Sequence, residues 1–259
     1  MDKRLHANRP GQAGKPMQIV APVAPARGAP SESGAQTTQA LFGERLLAFE
    51  NQNGYLCCQL LRDSYVGFIR ADLASETLSN PTHRVSARST YLYPAADIKS
   101  HPAVSVPMNA TLEIVGIGQE FSTLSDGKFV FTQHIRSSAE HETDFVSVAE
   151  KFLHVPYYWG GKSHLGLDCS GLVQLSLEAC GVAALRDSDM QEEQLGQVLM
   201  INDLSSLRRG DLVFWGGHVG IMTDDKFLLH ANGHHMMTVK EPLANALERI
   251  GPATSIKRL

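Results

Sequence analysis

A cysteine at the predicted start of a helix is the residue with the clearest chemical potential in this sequence. Cys169 follows Asp168, a favourable N-cap residue, and apolar residues then recur at helical spacing as far as Gly181. This pattern predicts a helix over residues 169–180. Unpaired N–H groups and the helix dipole favour a negative charge in the first turn, so we expect the pKa of the Cys169 thiol to lie below its usual ~8.5. The resulting thiolate is a candidate nucleophile.

Two histidines provide the groups that such a nucleophile needs. His218 begins a predicted strand after a Gly-Gly pair, and His230 ends the next strand across a short turn. With a two-residue turn His218 would lie opposite Ala231, whereas a change of one loop residue would put both histidines on the same face. We therefore predict that His218 is the base for Cys169 and that His230 orients His218.

The other cysteines and histidines do not indicate a metal site or a disulfide framework. Cys57 and Cys58 are adjacent and would point to opposite faces of a strand, and Cys180 lies at the end of the predicted helix. His234 and His235 have no carboxylate or cysteine at ligand spacing. We therefore expect no metal, no cofactor and a reducing compartment.

Composition and charge exclude several classes of function. The 259 residues are 43% apolar and 19% charged, which is typical of globular proteins, and the chain is long enough for two or three compact units. A net charge of -4 with scattered basic residues argues against nucleic-acid binding. No stretch approaches the ~20 apolar residues of a membrane span, and residues 1–14 lack the apolar run of a secretory signal. We expect a cytoplasmic protein with no membrane partner.

The chain divides into a tail and three folded parts. Residues 1–15 are polar and rich in Gly and Pro, which predicts a disordered tail, and residues 24–38 are interpreted as a long surface loop after a strand over residues 17–23. Short apolar runs separated by turn residues predict two small β-barrels, over residues 16–76 and 80–138. Residues 140–259 mix helical and strand patterns and predict an α+β domain, with a polar loop over residues 186–197.

Four short sequence blocks together resemble a known family. They are YYWGG (157–161), LDCSGLV (167–173), RRGDLVF (208–214) and HVGI (218–221). In this order they resemble the NlpC-type, papain-like cysteine peptidases of bacterial cell-wall metabolism, and the preceding β-barrels resemble bacterial SH3 domains. The resemblance implies a catalytic domain in which a helix carrying the cysteine packs on an antiparallel sheet, preceded by two SH3-like barrels.

The resemblance also implies a reaction. Cys169 would attack the carbonyl of a γ-D-glutamyl bond to a diamino acid such as meso-diaminopimelate. His218 would act as base and then as acid for the leaving amine, His230 would orient His218, and the Cys169 N–H would help to bind the oxyanion. The expected activity is a cysteine-type hydrolase that releases L-Ala-γ-D-Glu from free stem peptides during peptidoglycan recycling.

The resemblance further implies a pocket for a muropeptide with a free L-Ala amine. The substrate-binding residues expected from it are Trp159, Asp168, Ser170 and Ser188 in the catalytic domain, and Glu44 and Tyr65 in the first SH3 unit. An ammonium group that enters a partly closed pocket needs a carboxylate partner, and a blocked N-terminus would leave that carboxylate unpaired. Such a pocket would select free peptides over the intact wall.

Three alternatives to this function are consistent with the same residues. One is an endopeptidase that remodels intact peptidoglycan. A second is an amidase or acyltransferase on the same fold, in which an amine or alcohol captures the thioester. A third is a catalytically silent protein whose SH3 units bind muropeptides, although the combination of Cys169, His218 and His230 argues against it.

Overall fold

The computed structural model describes residues 2–6, 13–102, 104–200 and 204–259. The chain forms two compact units, Met1–Glu140 and His141–Leu259. Among the described residues, no helix is long and apolar enough to cross a bilayer. The domain bounds expected from the sequence stay predictions.

The described part of the N-terminal tail is attached to the first unit, which differs from the expectation of a disordered segment. The Val66 N–H donates to the Arg4 carbonyl at 2.7 Å, and Gln59 Nε2 donates to the Leu5 carbonyl at 2.7 Å. Lys15 already begins a strand. In both bonds the tail contributes a backbone carbonyl, a group that every residue carries, so composition did not reveal them. Residues 1 and 7–12 of the predicted tail lie outside the described residues.

The first sheet of the N-terminal unit has seven antiparallel strands. They are β1 (Lys15–Ile19), β2 (Val23–Arg27), β3 (Gln36–Leu41), β4 (Arg45–Gln52), β5 (Tyr55–Leu60), β6 (Val66–Arg70) and β7 (Ala74–Ser75), in the order β3-β2-β6-β5-β4-β1-β7. A 3-10 turn, Ala71–Leu73, precedes β7. The long loop expected over residues 24–38 was wrong, because β2 and β3 pair there. Alternating Ala24 and Ala26 are fully buried on β2, a pattern that small residues and Pro obscured in the sequence.

The second half of the same unit contains eight shorter strands. They are β8 (His83–Val85), β9 (Ser89–Tyr93), β10 (Val104–Pro107), β11 (Thr111–Leu112), β12 (Ile114–Gly116), β13 (Phe121–Leu124), β14 (Phe129–Phe131) and β15 (Ile135–Ser137), with a 3-10 turn at Thr132–His134. They form two sheets, β10-β9-β14-β13-β12 and β11-β8-β15. Val85, Leu92 and Val130 are fully buried in a core of their own. Short strands separated by turns are therefore present in this half of the unit, as the sequence pattern indicates.

The C-terminal unit combines four helices with a six-stranded antiparallel sheet. Its elements are α1 (Phe145–Glu150), β16 (Lys162–Ser163), β17 (Gly166–Leu167), α2 (Cys169–Ala179), α3 (Ser188–Gln194), β18 (Gln197–Val198), a 3-10 turn (Leu204–Ser206), β19 (Leu212–Trp215), β20 (His218–Met222), β21 (Phe227–Asn232), β22 (Met237–Pro242), α4 (Leu243–Ile250) and β23 (Ser255–Arg258). The sheet order is β18-β23-β19-β20-β21-β22, and α2 packs against β20 and β21. Strand β21 therefore lies between the strand that carries His218 and the strand that leads into α4.

Two helices of this unit were absent from the sequence interpretation. Helix α3 lies in the segment expected to be a polar loop over residues 186–197. Its polar Gln191 is fully buried and donates to the carbonyls of Ser170 and Leu185, both at 2.9 Å. These hydrogen bonds hold the helix in place of a stripe of apolar residues, which is the pattern by which a helix is detected in a sequence. Helix α4 buries Leu243 and Ala246, whose separation of three residues is typical of one face of a helix. The helix begins directly after strand β22.

Candidate active site

The nucleophile candidate is held by the cap of α2. The Asp168 side chain is the N-cap, and its Oδ1 accepts from the Gly171 N–H at 2.7 Å, which fixes the first turn that begins with Cys169. A Cβ at position 171 would lie 2.2 Å from the Gly161 carbonyl oxygen. Only glycine therefore lets the segment before β16 approach the helix start this closely. The predicted helix and its cap are present.

The expected low pKa of the Cys169 thiol was wrong. Burial raises the pKa of this thiol to about 12, and the nearby Asp168 carboxylate adds to the rise. The backbone N–H groups of Val219 and Ser170 bond to the sulfur and act in the opposite direction without overcoming burial. The sequence shows the helix start but not how completely the sulfur is removed from water. The Val219 N–H also places the sulfur beside the residue that follows His218.

The strand register brings the two histidines together. Ile221 pairs with Leu229 and Met222 pairs with Leu228, which puts His218 and His230 on one face of the sheet. Of the two registers considered from the sequence, the structure has the one with both rings on the same side. His218 Nε2 lies 2.8 Å from His230 Nδ1.

A carboxylate and a guanidinium extend this pair, and sequence reasoning missed both. His230 Nε2 lies 2.7 Å from Glu241 Oε1, and Arg249 Nη1 donates to Glu241 Oε2 at 3.0 Å. Because an ionised carboxylate only accepts, the proton of His230 is on Nε2 and its Nδ1 is the acceptor. The proton of His218 is then on Nε2, which leaves His218 Nδ1 with a lone pair for the Cys169 proton. Glu241 stands on β22 and Arg249 on α4, so their contact has no local sequence signature.

The charges of this chain favour a neutral base. Burial lowers the pKa of His218 to about 3, the electrostatic interactions with His230 and Arg249 lower it further, and the negative charge of Glu241 acts in the opposite direction. Burial alone would raise the pKa of Glu241, but hydrogen bonds from Arg249 and His230 lower it to about 2. At neutral pH the site therefore holds a protonated thiol, two neutral imidazoles and a carboxylate.

Asp168 and Ser170 are tied to a buried arginine. Arg186 is 1% exposed, and its Nη1 and Nη2 donate to Asp168 Oδ1 and Oδ2 at 2.9 and 2.7 Å. Arg186 Nη1 also donates to Ser170 Oγ at 2.9 Å, and the Gly160 N–H donates to Asp168 Oδ2 at 2.8 Å. Both carboxylate oxygens thus have cationic and backbone donors, which is the environment of a structural cap. The amine-binding role expected for Asp168 stays a prediction and would have to compete with Arg186.

The other expected binding residues differ in exposure. Trp159 is 67% exposed, whereas Ser188 is buried as the first residue of α3. In the N-terminal unit Glu44 is buried, with Oε2 accepting from the Leu41 N–H at 3.0 Å, and Tyr65 is also buried. Their roles in substrate binding stay predictions.

A helix-borne thiol next to an imidazole that a second imidazole and a carboxylate orient defines a candidate thiol hydrolase. The sequence model described as NlpC/P60 family matches residues 154–248. The model described as bacterial dipeptidyl-peptidase Sh3 domain matches residues 26–72. The chain therefore contains an NlpC/P60 domain, preceded by a bacterial SH3 domain. The resemblance expected from the four sequence blocks is confirmed.

Individual relatives agree with this assignment. The chain is 32% identical over 100 residues to dipeptidyl-peptidase 6 of Lysinibacillus sphaericus, covering 39% of this chain and 36% of that one. It is 26% identical over 222 residues to gamma-D-glutamyl-L-lysine dipeptidyl-peptidase of Bacillus subtilis (strain 168), covering 75% and 71%. The crystal structure of an NlpC/P60 family protein from Bacillus cereus ATCC 10987 superposes with a TM-score of 0.80 at 19% identity, covering 94% and 99%. The papain-like α+β fold with an N-terminal SH3 domain is thereby confirmed.

Proposed function

We propose that this protein is a cysteine peptidase that hydrolyses the bond between γ-D-Glu and a diamino acid in free peptidoglycan stem peptides, releasing L-Ala-γ-D-Glu. The observation that carries the proposal is the hydrogen-bond chain from Arg249 and Glu241 through His230 to His218, beside the sulfur of Cys169. The bond is supported by the name of the gamma-D-glutamyl-L-lysine dipeptidyl-peptidase relative, and the release of a dipeptide is supported by the names of both relatives.

The first half of the reaction transfers the γ-D-glutamyl group to sulfur. As Cys169 Sγ attacks the carbonyl carbon, the thiol proton moves to His218 Nδ1, and the carbonyl electrons become the oxyanion. Backbone N–H groups at the start of α2 are suited to stabilise this charge. The C–N bond then breaks, and the imidazolium returns its proton to the departing amine.

The second half releases the acid. Water loses a proton to His218 Nδ1 as it attacks the thioester, and the C–S bond breaks with return of that proton to Cys169. Throughout both halves His230 accepts the Nε2–H of His218 and donates to Glu241, which holds the ring in one tautomer. This chain of residues supplies the base, its orientation and the nucleophile without a further group.

The proposal also covers the location of the protein, its domain organisation and its substrate specificity. We propose that the protein recycles free stem peptides in the cytoplasm, and that the strands β8 to β15 form a second SH3-like barrel. Recognition of the L-Ala amine by Glu44 and Tyr65 is also part of it. Glu44→Gln should therefore weaken cleavage of a peptide with a free amine more than cleavage of its acetylated form.

Mass spectrometry of the products tests the reaction and the specificity together. The substrates are L-Ala-γ-D-Glu-meso-diaminopimelate and the same peptide acetylated on L-Ala. We expect the wild type to cleave the free peptide, Cys169→Ala to cleave neither, and Cys180→Ala at the other end of α2 to retain activity. Equal cleavage of both peptides would favour an endopeptidase, products with added amines would indicate a transferase, and binding without turnover would contradict an enzymatic role.

A further inference from the structure

Arg186 contacts both residues that flank the nucleophile candidate in the sequence. Its Nη1 donates to Asp168 Oδ1 and to Ser170 Oγ, both at 2.9 Å, and its Nη2 donates to Asp168 Oδ2 at 2.7 Å. Asp168 directly precedes Cys169, and Ser170 directly follows it. A buried positive charge is therefore held at the start of α2, although the proposed reaction assigns no step to it.

The Asp168 carboxylate does more than cap the helix. Its Oδ1 accepts from the Gly171 N–H at 2.7 Å, and its Oδ2 accepts from the Gly160 N–H at 2.8 Å. Asparagine is also a good N-cap, but it has one oxygen in place of two, so one of these backbone groups would lose its acceptor. The carboxylate thus joins the start of α2 to the segment before β16. It also brings a negative charge to the residue next to Cys169.

That negative charge opposes the chemistry proposed for the site. During the attack, negative charge develops first on Cys169 Sγ and then on the oxyanion. The Asp168 carboxylate raises the pKa of the thiol, and the Arg186 guanidinium acts in the opposite direction. Because Arg186 is fully buried, solvent screens its charge only weakly. The carboxylate would therefore hinder the nucleophile that it holds in place, unless a cation offset its charge.

We infer that Arg186 is a positioning residue that acts through Asp168, by holding the cap carboxylate and offsetting its negative charge beside the nucleophile. The inference rests on the proposed function, because it concerns the thiol assigned there as nucleophile. It adds that the reactivity of Cys169 depends on the balance between these two charges. An ion pair with only a structural role would change the stability of the fold and leave that reactivity unaltered.

The test measures the alkylation rate of Cys169 by iodoacetamide, an uncharged reagent, at one fixed pH. Peptide mass mapping separates Cys169 from the other cysteines. In Arg186→Met the carboxylate has no cation, and we expect a rise of about one in the thiol pKa, the low end of the effect of a neighbouring charge. The thiolate fraction then falls about tenfold, while the nucleophilicity of that thiolate rises about threefold, so the rate should fall about threefold.

A second substitution distinguishes charge from geometry. Asp168→Asn keeps an N-cap oxygen and removes the negative charge, so by itself it should raise the alkylation rate about threefold. Added to Arg186→Met, it should restore the rate to within about twofold of the wild type. The double variant carries no unpaired charge, so this comparison does not require the fold to bury one. An unaltered rate in Arg186→Met, or a double variant that reacts threefold or more below the wild type, would overturn the inference.

The chain offers a matched control in a second buried ion pair of the same unit. Arg258 on β23 donates to both oxygens of the buried Asp211 at 2.7 Å. Arg258→Met removes a guanidinium from a buried carboxylate in the same way, and it should leave the alkylation rate of Cys169 unaltered. Circular dichroism of each variant shows whether the fold is retained.

Alkylation needs neither substrate nor turnover, which separates this inference from the proposed function. If the variants follow the expected order but the wild type cleaves no stem peptide, the proposed function fails and the role of Arg186 stands. If the wild type cleaves the peptide while Arg186→Met is alkylated at the wild-type rate, the peptidase activity stands and the inference is overturned.

Discussion

Replacement of Glu241 by Gln tests the far end of the proton chain. The substitution preserves size and removes one negative charge. In the wild type the carboxylate accepts from His230 Nε2–H at 2.7 Å and from both Nη groups of Arg249. Glutamine has one oxygen and one NH₂ group, so it can satisfy only one of these two partners.

The size of the effect follows from that conflict. If the amide oxygen faces Arg249, its NH₂ group faces His230 and favours the His230 tautomer with a proton on Nδ1. That proton would oppose the His218 Nε2–H and drive the His218 proton to Nδ1, the atom that must accept from Cys169. Loss of one charge-assisted hydrogen bond corresponds to a decrease in kcat of about 10- to 100-fold. This is smaller than the ~10⁴-fold decrease that follows when the histidine of a catalytic triad is held in the wrong tautomer.

Steady-state kinetics on L-Ala-γ-D-Glu-meso-diaminopimelate provides the assay. We expect kcat to fall by about 10- to 100-fold in Glu241→Gln with KM changed less than kcat, because the residue orients the base rather than binding substrate. Glu248→Gln makes the same change at an exposed position of α4 and should leave kcat unaltered. If Glu241→Gln keeps wild-type kcat while its fold is intact, the hydrogen-bond chain does not set the tautomer of His218 and the reasoning is refuted.

Three further substitutions or conditions have defined outcomes. Gly171→Ala places a Cβ 2.2 Å from the Gly161 oxygen, so we expect a lower Tm in thermal unfolding and loss of activity; an unchanged Tm would contradict the close approach. Arg186→Met leaves the Asp168 carboxylate without its buried cation and should lower the free energy of urea unfolding by about 3–5 kcal/mol, and an effect below 1 kcal/mol would show that the pair is dispensable. Because the pKa of His218 is about 3, the base stays unprotonated as pH falls from 8 to 5, and kcat/KM should stay nearly constant. A fall of about thirtyfold over that range would instead indicate a base with the ordinary histidine pKa near ~6.5.

The sequence predicts the local parts of the site well. Asp168, Cys169 and the helix after them form one continuous segment, and His218 and His230 lie on adjacent strands joined by a short turn. In such segments a cap, a periodic pattern or a turn is visible within a few residues. The positions of these elements could therefore be predicted.

Contacts between distant segments were beyond that reasoning. Glu241 and Arg249 contribute to the site through side chains of β22 and α4, and nothing in the intervening residues marks them as partners of His230. Arg186 lies 18 residues after Asp168 in the sequence and donates hydrogen bonds to both oxygens of the Asp168 carboxylate. These residues could be identified only once the packing was known.

Burial determines where the proton lies before the reaction begins. The pKa of the Cys169 thiol is raised to about 12 and that of His218 is lowered to about 3, so the neutral pair is the resting form at pH 7. In the proposed mechanism a thiolate then forms only as the sulfur approaches the substrate carbonyl, and we expect the rate to depend on how well His218 Nδ1 is oriented toward that proton. The hydrogen bonds among His230, Glu241 and Arg249 would hold the His218 ring in this orientation. In the proposed mechanism the start of α2 therefore contributes mainly by fixing the position of Cys169, and we expect the orientation of its base to matter more for activation than a preformed thiolate.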